Sequence, residues 1–238
     1  MNRAEWNQLA DDFEELVCDV ALDETSDQLR RYVDAARPSK EKSVLVDLGC
    51  GIGSFIQKFG GRFREIVGVE FAARTIARAK ERCAAIDGIE WHTMDVARAA
   101  KRIGQRADLT VCMNVITAPR KATRDAQWAG VATVTKPSGF ALIVVPSIES
   151  EEMIQARIRR GASGIKSTQT ADGLVEFDGS AQKYYRRDEL MSVVRDNGFD
   201  VKRIGQLRAP WAREGMTNPR GPGIQNPWDW IVLARRQA

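Results

Sequence analysis

Apolar positions along this chain recur in two rhythms, and the switches between them predict its elements. Near the N-terminus Trp6, Leu9, Phe13, Leu16, Val17 and Val20 fall at helical spacing, and a second helical pattern covers residues 27–36 before Pro38 ends it. An alternation then begins. Apolar runs at residues 43–48, 65–69, 89–93, 109–115 and 140–145 read as strands, and the stretches 54–59, 72–85, 96–103 and 124–134 read as the helices between them. Strands alternating with helices imply right-handed crossovers and a parallel sheet covered on both faces.

After Pro146 the rhythm changes. Residues 149–160 are helical, 161–173 are rich in Gly, Ser and Thr, and two strand-like runs at 174–177 and 182–185 flank Asp178-Gly179, a hairpin signal. A helix over 187–197, closed by Gly198, leads to a strand near 201–205, and residues 228–234 make a last one. Between these two strands, residues 207–227 carry Pro210, Pro219, Pro222 and Pro227 and follow neither period, so a long functional or irregular loop is expected there.

Composition narrows the class. A chain of 238 residues, 43% hydrophobic and 29% charged, suits one domain. Its parts divide as an N-terminal helical cap (1–40), a core (41–146), an insert (147–186) and a C-terminal helix with two strands (187–238). No apolar run approaches the roughly 20 residues of a bilayer span, and the N-terminus leads into acidic residues, which predicts a soluble, cytoplasmic protein without membrane contact. Cys18, Cys50, Cys83 and Cys112 are scattered, without metal-ligand spacing, so reduced thiols and no metal are expected. The net charge of +4 raises the question of a nucleic-acid partner. Residues 1–30 hold nine acids against two arginines, however, and the remaining 34 basic residues are spread over helices among 23 acids, the pattern of solvated faces.

The informative segment is Val44-Leu45-Val46-Asp47-Leu48-Gly49-Cys50-Gly51-Ile52-Gly53-Ser54-Phe55, an apolar strand entering a glycine-rich turn that opens a helix. Glycines let backbone approach a ligand closely, and a helix start offers free N–H groups. A dinucleotide-binding turn reads GxGxxG. Here the third glycine comes one residue early, and Asp47 would sit poorly beside a pyrophosphate but well beside a cationic amine.

Asp47-Leu48-Gly49-Cys50-Gly51-Ile52-Gly53 resembles motif I of the class I S-adenosylmethionine-dependent methyltransferases. The resemblance implies an α/β, Rossmann-like, doubly wound fold. Its seven-stranded sheet would be mostly parallel with helices on both faces, with an N-terminal helical extension and a lid-like insert after the fifth strand. It implies S-adenosyl-L-methionine as cofactor, S-adenosyl-L-homocysteine as product, and no metal. Residues Asp47, Gly49, Cys50, Gly51 and Gly53 would lie under the methionine part. Glu70, with Phe71, stands 21 residues after Gly49, where the family places an acid on the ribose hydroxyls. Asp95, with Val96, matches the acid near the adenine amino group, and Asn114 stands where the methyl-transfer region begins. Lys136-Pro137-Ser138-Gly139-Phe140 and the stretch from Tyr185 to Phe199 match later landmarks, so residues 43–206 are covered in order.

Several of these residues have a structural reading too: Asp95 as a helix N-cap, Asn114 as a turn residue, Cys50, Trp6 and Phe13 as packing. Catalytic candidates are Tyr184, Glu149 and His92. Glu149 could equally cap its helix, and His92, the only histidine, sits inside a short strand before the end where ligands gather. Tyr184, Tyr185 and Trp211 are candidates for acceptor contact. The Asn/Asp-Pro-Pro-aromatic motif of exocyclic-amine DNA methyltransferases is absent, Asn114-Val115-Ile116-Thr117 standing in its place. An insert and a long loop suit a closed pocket, so the expected acceptor is a small molecule with an O, N or C nucleophile. The alternatives are an RNA or protein methyltransferase, a nicotinamide-dependent oxidoreductase, or a non-catalytic subunit that binds the cofactor.

Overall fold

The computed structural model describes residues 7–8, 19–24, 26–170, 172–177, 179–219 and 223–238. The expected first helix, with Trp6, Leu9, Phe13, Leu16 and Val17, lies outside the described residues. A short helical turn, α1 (Val20–Asp23), and α2 (Gln28–Ala35) precede the sheet. Then come β1 (Val44–Leu48), α3 (Ser54–Phe59), β2 (Glu65–Glu70), α4 (Ala73–Arg82), β3 (Ile89–Thr93), α5 (Val96–Ile103), β4 (Ala107–Met113), α6 (Lys121–Val134) and β5 (Thr135–Pro146). The chain continues through α7 (Ile148–Arg159), β6 (Thr168–Gln169), β7 (Leu174–Phe177), β8 (Ser180–Lys183), α8 (Arg187–Asp196), β9 (Phe199–Arg208) and β10 (Trp228–Arg236).

Seven strands form one sheet in the order β3-β2-β1-β4-β5-β10-β9, with β1 to β5 parallel and β10 antiparallel to both its neighbours. This is the Rossmann-like, mostly parallel sheet the sequence predicted. Every residue of β1 is buried because helices cover both faces, which is why its sequence is nearly all apolar rather than alternating. Side chains still divide by face. Val44, Val46 and Leu48 pack with Ile103 of α5, Trp128 of α6 and Val194 of α8, whereas Leu45 packs with Phe55 and Ile56 of α3 and Val33 of α2.

The differences from the expected elements have local causes. β4 stops at Met113 because Asn114 adopts a left-handed backbone (φ 53°) that turns the chain out of the sheet. β5 starts at Thr135, five residues early: the 136–139 turn is an irregularity inside the strand, where Ser138 has φ 62° and pairing jumps from Ala107↔Thr135 to Leu109↔Phe140. The hairpin forms, but its two-residue connection pairs Phe177 with Ser180, so the second strand is Ser180–Lys183. Tyr185 instead bridges to Ser147 at the end of β5. With Thr168–Gln169 the hairpin makes a separate three-stranded sheet within the insert. The 207–227 segment holds a 3-10 turn, Trp211–Glu214. Trp211, 1% exposed, packs there against Ile154 and Ile158 of α7 and against Met216. No helix among the described residues is long and apolar enough to cross a membrane.

Candidate active site

Because β1 to β5 are parallel, their carboxyl ends share one edge, where ligands of open α/β sheets gather. The glycine turn follows β1 there. Gly49, Gly51 and Gly53 have φ of 76°, 52° and 81°, and a Cβ on Gly49 would lie 2.2 Å from Cγ2 of Val115, so no other residue fits that position unstrained. The Gly49 and Cys50 N–H groups both donate to the Val69 carbonyl, at 2.7 and 2.9 Å, which fastens the turn to the end of β2.

Asp47, near the end of β1, is 1% exposed, and its Oδ2 has no hydrogen-bond partner among the described residues. Burial, reinforced by the carboxylates of Asp19 and Glu70, pushes its pKa up to about 8. Glu70, at the end of β2, accepts from the N–H of Ala72 (2.9 Å) and of Gly51 (3.3 Å), yet burial still raises its pKa. The Phe71 N–H donates to this carboxylate as well, and acceptor capacity remains for a further donor. Phe71 follows, half-buried. Cys50 is buried and its thiol is driven well above the usual range by burial and the two nearby acids, which makes it inert. Asp95 caps α5 by accepting from Ala97 N at 2.8 Å, and Val96 is buried. The sheet thus brings Asp47, the glycines, Glu70, Asp95 and Asn114 to one edge.

Asn114 donates through Nδ2 to Asp229 Oδ2 (2.8 Å), leaving its Oδ1 buried with no partner among the described residues. Asp229, near the start of β10, is raised to about 6 by loss of solvent, offset in part by the Asn114 amide. Glu214 is raised to about 7 by burial and by the acids Glu151 and Asp229. The sequence reading missed Asp229. Its signal was an acid between Trp228 and Trp230 in an apolar strand. Asp19, also missed, had no local signal, because only folding brings it to Ser54, whose hydroxyl it accepts at 2.5 Å.

The catalytic and acceptor candidates divide differently. His92 lies on the edge strand β3 with Nε2 2.5 Å from Glu90, which also pairs with Arg106. Glu149 accepts from Trp230 Nε1 (3.1 Å), Ser147 Oγ (3.2 Å) and Arg187 N (3.0 Å), and so braces β10 and α8 against α7. Tyr185 is 2% exposed and donates its hydroxyl to the Ile116 carbonyl at 2.9 Å. Tyr184 is half-buried, its N–H donating to Gly173 O at 2.8 Å. The Arg157 guanidinium stacks 4.9 Å from the Trp211 ring centre. A cavity of about 500 Å³ opens between the loop after β4 and the small sheet, lined by Lys121, Arg124, Gln169, Lys183, Arg186 and Glu189 among others. No group of three or more His, Cys, Asp or Glu among the described residues is placed to hold a metal.

The fold is an α/β protein with a glycine turn at the carboxyl ends of its parallel strands. Residues 45–139 match the family model described as a methyltransferase domain. No curated protein matches the sequence significantly. Among solved structures, an S-adenosylmethionine-dependent methyltransferase from Clostridium acetobutylicum ATCC 824 superposes with a TM-score of 0.67 at 12% identity, over 98% of this chain and 99% of that one. Magnesium protoporphyrin IX methyltransferase from Synechocystis PCC 6803 with bound S-adenosylmethionine gives 0.64 at 14% identity, over 99% and 95%. The 1,6-didemethyltoxoflavin-N1-methyltransferase of Burkholderia thailandensis, with its substrate and S-adenosylhomocysteine bound, gives 0.65 at 13%, over 99% and 87%. Residues 45–139 thus match a methyltransferase domain, and the chain as a whole has the fold of these methyltransferases.

Proposed function

We propose that this protein transfers a methyl group from S-adenosylmethionine to a small-molecule acceptor. The observation that carries the cofactor reading is the buried Asp47 carboxylate, whose Oδ2 has no partner among the described residues, beside Glu70 and a glycine turn that admits no Cβ at Gly49. These residues fit the cofactor: Asp47 suits an ammonium, the remaining acceptor capacity of Glu70 suits the ribose hydroxyls, and Asp95 suits the adenine amino group. When bound, S-adenosylmethionine supplies a methyl group activated by its sulfonium. The chain's own residues hold the reactants in line and exclude water, work that can lower a barrier by up to roughly 7–11 kcal/mol.

On the acceptor side, the Oδ1 of Asn114, without a partner among the described residues, is a hydrogen-bond acceptor fixed in place by Asp229, and it suits an N–H or O–H of the incoming nucleophile. The small-molecule reading is supported by the named activities of two structural neighbours, on a porphyrin and on a toxoflavin precursor. The insert and the 211–214 turn, which packs on α7 and ties to the N-terminal segment through Arg213–Asp23, form a candidate lid. The buried thiols of Cys50, Cys83 and Cys112, all free, suit a reducing cytoplasm.

Calorimetric titration with S-adenosylmethionine and, separately, NAD(H), repeated on Asp47→Ala and Glu70→Ala, tests the cofactor reading. Saturable binding of the sulfonium compound alone, weakened by either substitution in a protein that still folds, is expected. Tight NAD(H) binding, or binding indifferent to both changes, would overturn it. Label from the methyl-tritiated cofactor should then pass to a small acceptor; transfer only to RNA or protein would refute the small-molecule assignment.

A further inference from the structure

We propose that Asp19 is a third acid of the cofactor cradle, standing with Asp47 at the ammonium end of S-adenosylmethionine while Glu70 faces the ribose, and that the cation enters this cradle in exchange for a proton. The inference rests on the cofactor reading above and adds to it a residue and a linkage.

Asp19 precedes β1 by some two dozen residues and belongs to no part of the glycine motif. It caps α1, accepting from Ala21 N at 3.1 Å through Oδ1, while its Oδ2 accepts from Ser54 Oγ at 2.5 Å. Ser54 is the first residue of α3, immediately after Gly53, and is 4% exposed. Lys58 of α3 donates to the Ala21 carbonyl (3.1 Å), and Val20 and Ala21 are buried, so the 19–21 segment is docked on the glycine turn from outside the sheet. Asp19 on Ser54 and Glu70 on Gly51 therefore flank the glycine turn from two separate elements, and both act on Asp47. None of the ion pairs among the described residues involves any of them.

Like charges crowded away from water cannot all ionise, so the arrangement holds protons until a cation arrives. Among the described residues, the titratable groups facing Asp47 besides Asp19 and Glu70 are the thiols of Cys50, Cys83 and Cys112, which are neutral at physiological pH, and Asp19 also faces Asp23, which pairs with Arg213. With Asp47 holding its proton up to about pH 8, and Asp19 and Glu70 raised by burial, the free protein at neutral pH carries at least one proton in the cradle. An ammonium nearby favours the carboxylate form, so binding expels that proton. Affinity for the cation should then rise about tenfold per pH unit toward pH 8 and level off above it, because below that pH the proton competes for the same site.

The test is calorimetry at pH 7 in buffers of differing ionisation enthalpy, with S-adenosylmethionine, S-adenosylhomocysteine and 5′-methylthioadenosine, which keeps the nucleoside but lacks the ammonium. Release of about one proton with the first two ligands and none with the third is expected. Asp19→Asn keeps a good N-cap residue. It should weaken the two amino-acid-bearing ligands by about tenfold, as loss of one nearby charge predicts, and leave methylthioadenosine unchanged. Equal proton counts for all three ligands overturn the linkage, and an Asp19→Asn protein with unaltered affinity overturns the assignment of Asp19. Either result leaves the cofactor reading standing, whereas binding of none of the ligands would remove that reading and this inference together.

Discussion

Replacing Asp47 by asparagine should stabilise the ligand-free protein while damaging its cofactor site. In the unfolded chain an aspartate titrates near 3.9, roughly, whereas folded Asp47 keeps its proton to about pH 8. Between these values folding takes up a proton, so stability falls as pH rises through the window. The loss accumulates at about 1.4 kcal/mol per pH unit, reaching about 4 kcal/mol at pH 7 and levelling off above pH 8. Asparagine escapes this term but leaves its own buried amide unpaired, at about 1–3 kcal/mol. A net gain of about 1–3 kcal/mol at pH 7 follows, and for a chain of this size each kcal/mol moves Tm by about 2–4 °C. Thermal melts of both proteins from pH 5 to 9 would show the variant's advantage growing toward pH 8 and vanishing near pH 5, with S-adenosylmethionine binding weakened throughout. A variant that melts at or below the wild type at pH 8 would refute the claim that Asp47 is a buried, uncompensated acid.

Gly49→Ala places a Cβ 2.2 Å from Val115 at a φ of 76°, so calorimetry should find S-adenosylmethionine binding lost and melting should show at least about 1–2 kcal/mol of destabilisation from the left-handed backbone alone. Asn114→Ala removes the side-chain donor to Asp229 found among the described residues; since Asp229 takes a proton below about pH 6, the loss of about 1–3 kcal/mol should appear in melts at pH 8 and shrink at pH 5. Tyr185→Phe deletes the hydroxyl that holds the Ile116 carbonyl and should lower stability by about 1 kcal/mol, read as a Tm shift of a few degrees.

Alternating apolar runs and helical stretches made the sheet legible before any coordinates, because strands covered on both faces must be apolar along their length. The spacing Asp47, Gly49, Gly51, Gly53 made the glycine turn legible too, since positive φ and close approach restrict those positions to glycine within a few contiguous residues. The acceptor candidates were less legible. Tyr185 and Trp211 read as pocket aromatics, but the hairpin register and the 211–214 turn bury both in packing. Contacts across long stretches of chain were not legible at all: Asp19 on Ser54, Asp229 on Asn114, Arg213 on Asp23. The sequence by itself determined the sheet, its connections and the glycine turn, because these follow from local periodicity and backbone sterics. Only the tertiary structure decided which acids crowd together around that turn, because their proximity, and the desolvation and repulsion that shift their titration, exist only once distant segments have packed.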